Sequence, residues 1–285
     1  MPELPEVETV RKKLRPLAGK TASSFWNDWP RGLKAKQNNK SLSSDIKSRR
    51  VLGLSRHGKV VFIELSKKNS KNGPVEKLLA FHLRMSGRLN IAKSKDKIPP
   101  KETKHIHSIV GFKDGTELRF HDPRKFGLIW YGTPQEVRGY PYFSKIGPDA
   151  LDLSLKEFKA RLMAHNGMIK PLLLRQDFVA GIGNIVADET LWSSKIHPRK
   201  RAEDLSDAQI DSIHRSLMQV LHRGIKAGGT TLKDWKHPDN KSGEFQKYMK
   251  VYGRKGKPCP RCGSKIKRIV VGGRGTWICM KCQKP

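Results

Sequence analysis

The sequence is poor in cysteine, in acidic residues and in long apolar runs. Only four of its 285 residues are cysteine, and all four lie between positions 259 and 282. A disulfide framework is disfavoured, because nothing else in the sequence suggests secretion. No run of about 18 apolar residues is present, and the sequence begins Met1-Pro2-Glu3, with an acidic residue where a secretory signal needs positive charge. We therefore expect an intracellular protein that does not bind a membrane.

The shortage of acidic residues leaves a large positive charge. Lys and Arg total 58 against 26 Asp and Glu, which gives a net charge of +32. This excess is much greater than solubility requires, so it predicts a polyanionic partner. A membrane surface is the competing polyanion, but no long helix pairs a basic face with an aromatic one. The expected partner is nucleic acid.

The four cysteines form two Cys-x-x-Cys pairs, Cys259 with Cys262 and Cys279 with Cys282. This spacing is typical of a tetrahedral site in which four thiolates bind one zinc ion. A complete shell of four thiolates leaves no open position for a water molecule. We therefore predict one structural Zn²⁺, which by itself says nothing about function.

The periodicity of apolar residues changes near residue 150. Before it, residues 5–17 have helical spacing, and short β-like runs follow without intervening helices. These features predict an α+β fold that begins with a helix and a β-sandwich. The runs are residues 51–54, 60–65, 78–83, 88–91, 106–112, 117–121 and 128–131.

The second part of the chain is predicted to be helical. Ser154 with Glu157 and Ser206 with Gln209 form capping-box patterns, each before an apolar helical repeat. We predict an N-terminal domain over 1–135, a linker over 136–150, a helical domain over 151–250 and a zinc finger over 251–285. The lysine-rich segments 34–47, 67–77 and 93–104 are interpreted as surface loops.

The N-terminus offers an unusual nucleophile. Removal of Met1 ahead of a small residue exposes the secondary amine of Pro2. An α-amino group has a pKa of roughly 7.7–8, against about 10.4 for lysine, so more of it is unprotonated at neutral pH. Glu3 beside it could act as a general acid. From these residues alone, an ordinary chain terminus remains the alternative.

Several ordered motifs resemble the formamidopyrimidine-DNA glycosylases, over nearly the whole chain. The first is MPELPEVET at the N-terminus, and the last lies just ahead of the second cysteine pair. The motifs are residues 1–9 (MPELPEVET), 58–59 (GK), 81–87 (FHLRMSG), 121–127 (HDPRKFG), 179–185 (VAGIGNI), 251–254 (VYGR) and 273–276 (GRGT).

The resemblance implies a two-domain fold in which a helix–two-turns–helix domain with a Cys₄ zinc β-hairpin follows the sandwich. It also implies a bifunctional glycosylase and lyase that excises oxidised purines from duplex DNA and cuts at abasic sites. Pro2 would attack C1′ and Glu3 would donate a proton. Lys59 and Arg274 would be the proton donors of β,δ-elimination, and Glu6 would support the acid.

The resemblance further implies a set of DNA-binding residues. Lys59, His82, Asn184 and Arg274 would bind phosphates around an extruded nucleotide. Met85, Arg124 and Phe126 would fill the space left by the base, and His105 matches a DNA-contacting histidine. From the residues alone, Gly181-x-Gly183-Asn184 before a helix suggests free backbone N–H groups that suit a phosphate, although a simple tight turn is the more frequent interpretation of this pattern.

Some positions depart from the family pattern, and two other functions stay open. Lys125 stands where arginine is common, and His165-Asn166 lies in a stretch that is usually more basic. One alternative is the endonuclease VIII type, which acts on oxidised pyrimidines. The other is a zinc-containing DNA-binding protein without catalysis, which would not need an N-terminal amine. We expect a monomer that acts in the cytoplasm at the nucleoid, or in a eukaryotic nucleus or organelle.

Overall fold

The protein folds into two compact units in a computed structural model that describes residues 1–97, 99–232 and 235–285. Unit 1 comprises residues 1–2, 6–144 and 230–243, and unit 2 comprises residues 3–5, 145–229 and 244–285. The division after Ser144 falls inside the predicted linker. No sequence pattern indicated that residues 230–243 group with unit 1. Ile98, in the predicted loop 93–104, lies outside the described residues.

Two sheets make up the sandwich of unit 1. Every pairing is antiparallel except that of β2 with β9, which is parallel. The four-stranded sheet has the order β1-β7-β8-β6 and the five-stranded sheet the order β2-β9-β5-β4-β3. The strands are β1 Ala22–Asn27, β2 Leu33–Lys34, β3 Val51–His57, β4 Val60–Leu65, β5 Lys77–His82, β6 Arg88–Lys93, β7 Ile106–Phe112, β8 Thr116–His121 and β9 Leu128–Gly132.

The core of unit 1 lies between these two sheets, as the alternating runs predicted. Phe81 on β5 and Phe120 on β8 meet there with ring centroids 5.7 Å apart. Helix α1 (Leu4–Lys13) adds Val7 and Val10 to the same apolar cluster. Its last turn carries Arg11, Lys12 and Lys13, whose positive charges interact favourably with the negative end of the helix dipole.

The lysine-rich segment 34–47 is not the loop that we predicted. Residues Asn39–Ile46 form helix α2, with Asn38 as its N-cap and with Leu42 and Ile46 buried in the core. The helix packs against the edge strand β1, and the Ser43 hydroxyl accepts a hydrogen bond from Phe25 N of this strand at 3.0 Å. Lysines dominate the composition here, but two apolar residues four apart determine the fold.

Short helices also occur in the lysine-rich and linker segments. Pro100–Thr103 forms α3, and within the predicted linker Pro134–Arg138 forms α4 and Pro141–Ser144 forms α5. Tyr142 and Phe143 of α5 pack against Trp130 on the outer face of the five-stranded sheet.

Unit 2 is helical and ends in a β-hairpin, which confirms the predicted architecture. Its helices are α6 Leu155–Met163, α7 Ile169–Leu174, α8 Asn184–Ser193 and α9 Asp207–Lys226, and the hairpin pairs β10 Lys267–Val271 with β11 Arg274–Ile278. Both predicted capping boxes form, at Ser154 with Glu157 and at Ser206 with Gln209. No helix among the described residues is both long enough and apolar enough to span a bilayer.

Replacing Leu42 by alanine tests the packing of α2. The fully buried side chain leaves a cavity, so the free energy of unfolding should fall by about 2–5 kcal/mol. Chemical denaturation monitored by circular dichroism measures this change. Ser44→Ala, on the exposed side of the same helix, is the control and should change stability by less than about 0.5 kcal/mol. Equal effects of the two substitutions would mean that α2 does not pack on the core.

Candidate active site

Glu3 is held at the N-terminus of α8 within unit 2. Its Oε1 accepts a hydrogen bond from Ile185 N at 2.9 Å, and its Oε2 accepts one from Val186 N at 3.0 Å. The side chain is only 4% exposed. The first turn of a helix has unpaired N–H groups and a positive dipole end, so it stabilises a carboxylate.

The loop before α8 leaves room for this carboxylate only because it contains glycine. A Cβ atom on Gly183 would lie 2.2 Å from Cδ of Glu3. Gly181 has a φ of +104° and its carbonyl accepts a hydrogen bond from Leu4 N at 3.0 Å. The prediction of free backbone N–H groups for a phosphate is therefore wrong at Ile185 and Val186, because these groups donate to Glu3.

Pro2, the predicted nucleophile, directly precedes this anchored residue. Pro2 is buried, whereas Met1 is 58% exposed. An exposed methionine is accessible to removal, and its loss would free the Pro2 nitrogen. Because Glu3 is fixed by two hydrogen bonds, it restricts where that nitrogen can lie.

Lys59 and His82 lie close together in unit 1. Lys59 follows Gly58 in the tight turn between β3 and β4, where His57 pairs with Val60. Val60 in turn pairs with His82 at the end of β5. Lys59 is 4% exposed, so it is not a solvated lysine at a sheet edge.

His82 is a neutral hydrogen-bond donor. Burial, together with the charges of Arg84 and Lys59, lowers its pKa from 6.5 to about 3. Nδ1 accepts a hydrogen bond from Arg84 N at 3.0 Å, which places the proton on Nε2. Tyr142 packs edge-on against the ring, with centroids 5.5 Å apart. The ring is therefore fixed with Nε2–H as its available donor.

One buried aspartate organises the loop that carries Arg124 and Phe126. Oδ2 of Asp122 accepts hydrogen bonds from Phe126 N at 2.8 Å and Gly127 N at 2.7 Å. Its Oδ1 accepts one from the Ser86 hydroxyl at 2.5 Å. Asp122 thus joins two loops, although sequence analysis gave it no role; an aspartate at the start of a Pro- and Gly-containing turn was the available signal.

The three residues predicted to fill the space of an extruded base lie on the two loops that Asp122 joins. Met85 is 47% exposed and Phe126 is 54% exposed, unusually high values for large apolar side chains. Nη1 of Arg124 lies 3.9 Å from Sδ of Met85. The structure therefore brings Met85 and Arg124 into contact and presents both to solvent together with Phe126.

A second buried network, in unit 2, supports the hairpin that carries Arg274. Asn184 and Asp188 lie four residues apart, so they share one face of α8. Asn184 Nδ2 donates to the Gly275 carbonyl at 2.9 Å, and Asp188 accepts a hydrogen bond from Trp277 N at 3.0 Å. The amide of Asn184 thus contacts the hairpin, while its predicted contact with DNA remains a prediction.

Lys170 completes this network without any exposure to solvent. Its Nζ lies 2.6 Å from Asp188 Oδ1 and donates to the Thr276 hydroxyl at 2.7 Å. Burial raises the pKa of Asp188 and lowers that of Lys170, while each charge favours ionisation of the other. The pair could not be predicted from the sequence, because a Lys on one helix and an Asp on another carry no shared pattern.

Arg274 lies directly after the turn of the hairpin. Gly272 and Gly273 have φ values of 54° and 71°, as a two-residue type I′ turn requires. Arg274 is exposed on the first position of β11. The four cysteine sulfurs lie within 4.8 Å of one another, which fits a single tetrahedral zinc ion with Zn–S distances of about 2.3 Å.

The two remaining predicted residues, Glu6 and His105, have structural contacts in unit 1. Glu6 is 4% exposed, and its Oε1 accepts a hydrogen bond from Thr230 N at 2.5 Å. His105 packs against the ring of His121 with centroids 5.4 Å apart, and its carbonyl accepts a hydrogen bond from Asp122 N. Their roles towards DNA remain predictions.

The low pKa of His82 predicts a loss of stability in acid. Below pH 6.5 the unfolded chain binds a proton at His82, whereas the folded protein does so only near pH 3. Between pH 7.5 and 5 this difference lowers the free energy of unfolding by about 2 kcal/mol. His82→Asn keeps an acceptor near the position of Nδ1 but does not titrate. Its free energy of unfolding, measured by denaturation at the two pH values, should therefore fall by about 2 kcal/mol less than that of the wild type. An identical loss in both proteins would contradict the assignment.

Comparison with known proteins covers almost the whole chain. The model of the formamidopyrimidine-DNA glycosylase N-terminal domain matches residues 1–129, and the H2TH domain of the same family matches residues 146–236. The zinc finger found in FPG and IleRS matches residues 256–285, so the cysteine cluster is a structural site for one zinc ion.

Similar proteins extend over the full length of both chains. The formamidopyrimidine-DNA glycosylase of Bacillus subtilis is 37% identical over 286 residues and covers 99% of each chain. That of Pelotomaculum thermopropionicum is 38% identical and covers 100% of this chain and 99% of its own. A crystal structure of the Lactococcus lactis enzyme has a TM-score of 0.87 at 34% identity and covers 100% of both chains. On these grounds the chain belongs to the formamidopyrimidine-DNA glycosylase family.

Proposed function

We propose that this protein is a bifunctional glycosylase and abasic-site lyase that excises oxidised purines from duplex DNA. The observation that carries the proposal is the fixed carboxylate of Glu3, anchored on α8 and adjacent in sequence to Pro2. Lactococcus lactis relatives have been crystallised with DNA containing Fapy-dG and with DNA containing an abasic site.

Base removal would begin with the amine of Pro2. Its lone pair attacks C1′ of the damaged nucleotide, the bond from C1′ to the base breaks, and the base leaves with the bonding electrons and takes up the proton that the Pro2 nitrogen loses. Glu3 donates a proton to O4′ as the C1′–O4′ bond breaks, and the nitrogen lone pair forms the iminium ion.

Strand cleavage would follow from the same imine. Its positive nitrogen accepts the electrons of the C2′–H bond as that proton passes to water, and the resulting enamine expels the 3′ phosphate. Loss of the C4′ proton to water in a second elimination expels the 5′ phosphate. Each departing phosphate is stabilised by a positive donor. Lys59 and Arg274 are the residues that we assign to this role, and hydrolysis of the final imine releases Pro2.

DNA binding would combine phosphate contacts with filling of the vacated base position. The Nε2–H group of His82 and the charge of Lys59 suit adjacent phosphates. We assign further contacts to Asn184 and Arg274, support of the acid to Glu6, and a DNA contact to His105. Met85, Arg124 and Phe126 are the exposed set that suits the space left by an extruded base.

A second substrate class has direct support from one relative. The Lactococcus lactis enzyme has also been crystallised with DNA containing an oxidised pyrimidine. We therefore include oxidised pyrimidines as weaker candidate substrates, without assigning the protein to the endonuclease VIII type. Because the named relatives are bacterial, we propose that the protein acts in the cytoplasm, at the nucleoid. We also propose that it acts as a monomer.

Borohydride trapping tests the nucleophile and the substrate together. Reduction of the imine should link the protein covalently to a duplex with 8-oxoguanine opposite cytosine, and mass spectrometry should locate the adduct at Pro2. Pro2→Glu should form no adduct, because Met1 is retained ahead of a large residue. Lys59→Gln removes a primary amine of unit 1 and should still be trapped.

The outcomes of trapping separate the three candidate functions. An adduct located at a lysine would refute the role of Pro2. Trapping on an oxidised-pyrimidine duplex but not on the 8-oxoguanine duplex would favour the endonuclease VIII type. If neither duplex is trapped although both bind, the protein is a non-catalytic DNA-binding protein.

Arg124 is expected to determine the preferred base opposite the lesion. Its guanidinium donors match the O2 and N3 acceptors of cytosine, whereas adenine presents an amino donor on its pairing edge. Arg124→Ala should reduce the preference for cytosine over adenine by about 1–3 kcal/mol, measured from single-turnover rates on the two duplexes. Lys125→Gly is the control, because it removes a neighbouring charge at a φ of 53° that glycine adopts easily. A preference that survives Arg124→Ala would refute the assignment.

A further inference from the structure

A small basic cavity lies in unit 2 beside the zinc-binding hairpin, outside the residues assigned to catalysis and DNA binding. Its volume is about 280 Å³, at the lower end of ligand cavities, which span roughly 300–1,000 Å³. Its lining includes Lys195, Lys200, Lys281 and Lys284, and contains no Asp or Glu side chain. The other residues that line it are Ile196, His197, Gln209, Cys282 and Pro285, the last residue of the sequence. The cavity therefore suits a small anion of high charge.

Buried hydrogen bonds bring these lysines together from two separate segments. Lys195 and Lys200 flank the loop after α8, and Lys281 and Lys284 lie in the segment after β11. Gln283 is only 1% exposed, and its Nε2 donates to the Ile196 carbonyl at 2.9 Å while its Oε1 accepts from Cys279 N at 3.1 Å. The two lysine pairs are thus held together by the packed interior of unit 2.

Among the residues that the structure describes, the four ammonium groups have no carboxylate partner. In the part of the chain that the structure describes, none of them forms an ion pair within 4.0 Å. Other lysines of unit 2 do form ion pairs, such as Lys159 with Asp207. Four like charges around one concave surface repel each other, and a bound anion relieves that repulsion.

Lys195 occupies a backbone position that normally favours glycine. Its φ is 62°, and the bonds from Lys195 N to Trp192 O and from Ile196 N to Leu191 O end helix α8 in the manner of a Schellman motif. A lysine is strained there, so this charge is not explained by the needs of the helix end. Replacement by glycine removes the charge without creating backbone strain.

The charge of the zinc site does not account for the four lysines. Four thiolates and one Zn²⁺ carry two excess negative charges, and Cys282 is the zinc ligand that lines the cavity. Four ammonium groups carry more positive charge than is needed to neutralise the two negative charges of the zinc site.

We propose that this cavity is a second phosphate-binding site, distinct from the contacts assigned around the damaged nucleotide. The phosphate could belong to a free polyphosphate or to the backbone of a second DNA segment; the recognition chemistry is the same in both cases. The proposal does not depend on the catalytic role of Pro2 or on the lesion that the enzyme excises.

Titration with inorganic pyrophosphate tests the site. The zinc-loaded full chain, saturated with a duplex that carries a non-cleavable abasic-site analogue to occupy the DNA-binding surface, should bind pyrophosphate saturably with one-to-one stoichiometry in calorimetry. Lys195→Gly and Lys281→Gln should each weaken binding by about tenfold. Lys156→Gln removes an exposed lysine on α6 of the same unit and should leave the affinity unchanged.

Stability and metal content separate loss of binding from loss of structure. Lys195→Gly should keep its zinc and melt at the same or a higher temperature, because glycine relieves the strained φ. Weaker binding with intact zinc therefore supports the site. The proposal is overturned if the wild type shows no saturable binding, or if Lys195→Gly and Lys281→Gln bind as tightly as Lys156→Gln.

A capture experiment identifies the source of the phosphate. Protein bound to an immobilised lesion duplex is mixed with a second, labelled duplex, with and without pyrophosphate. Capture that pyrophosphate abolishes, and that Lys195→Gly and Lys281→Gln lack, supports a second DNA segment. If pyrophosphate binds at the cavity but no duplex is captured, the site takes a free phosphate anion. Duplex capture that is equal in all variants would overturn the assignment to this cavity.

Discussion

The hydrogen bonds from the α8 amides to the Glu3 carboxylate are the constraint on which the proposed chemistry depends. A nucleophile at a chain end has the greatest conformational freedom in a protein, and productive attack needs a geometry held within a fraction of an ångström. Two bonds of 2.9 and 3.0 Å fix the residue next to Pro2. The glycine at 183 is needed for the same reason, since any side chain there would occupy the position of Glu3.

Hydrogen bonds from backbone N–H groups to a buried carboxylate also hold two other segments that carry exposed side chains of proposed function. Asp122 accepts hydrogen bonds from the backbone of the loop that carries Arg124 and Phe126, and Asp188 does the same for the hairpin that carries Arg274. In each case the carboxylate is buried and the functional side chain is exposed. Buried charge–backbone bonds are stronger than neutral ones, so they can order loops that bury little apolar surface of their own.

Local signals in the sequence predicted those parts of the structure that local interactions determine. Alternation identified the strands from β3 to β9, capping boxes identified α6 and α9, and cysteine spacing identified the zinc site. Helix α2 was missed, because lysines masked the two apolar residues, Leu42 and Ile46, that bury it. The anchoring roles of Asp122 and Lys170 were missed for a different reason: their partners are distant in sequence, and only the folded chain brings them together.

The proposed site combines charged lysine and arginine side chains with one histidine that is neutral. His82 lies beside Lys59 and Arg84 and is neutral, because a third positive charge in a buried position would be strongly unfavourable. His82 offers a hydrogen-bond donor in a fixed direction through Nε2–H, while the lysines and arginines supply positive charge. Because binding to a polyanion depends mainly on these charges, it should respond strongly to salt. The formal charge of +32 therefore acts at long range, and the buried carboxylates and the neutral histidine determine the geometry at contact.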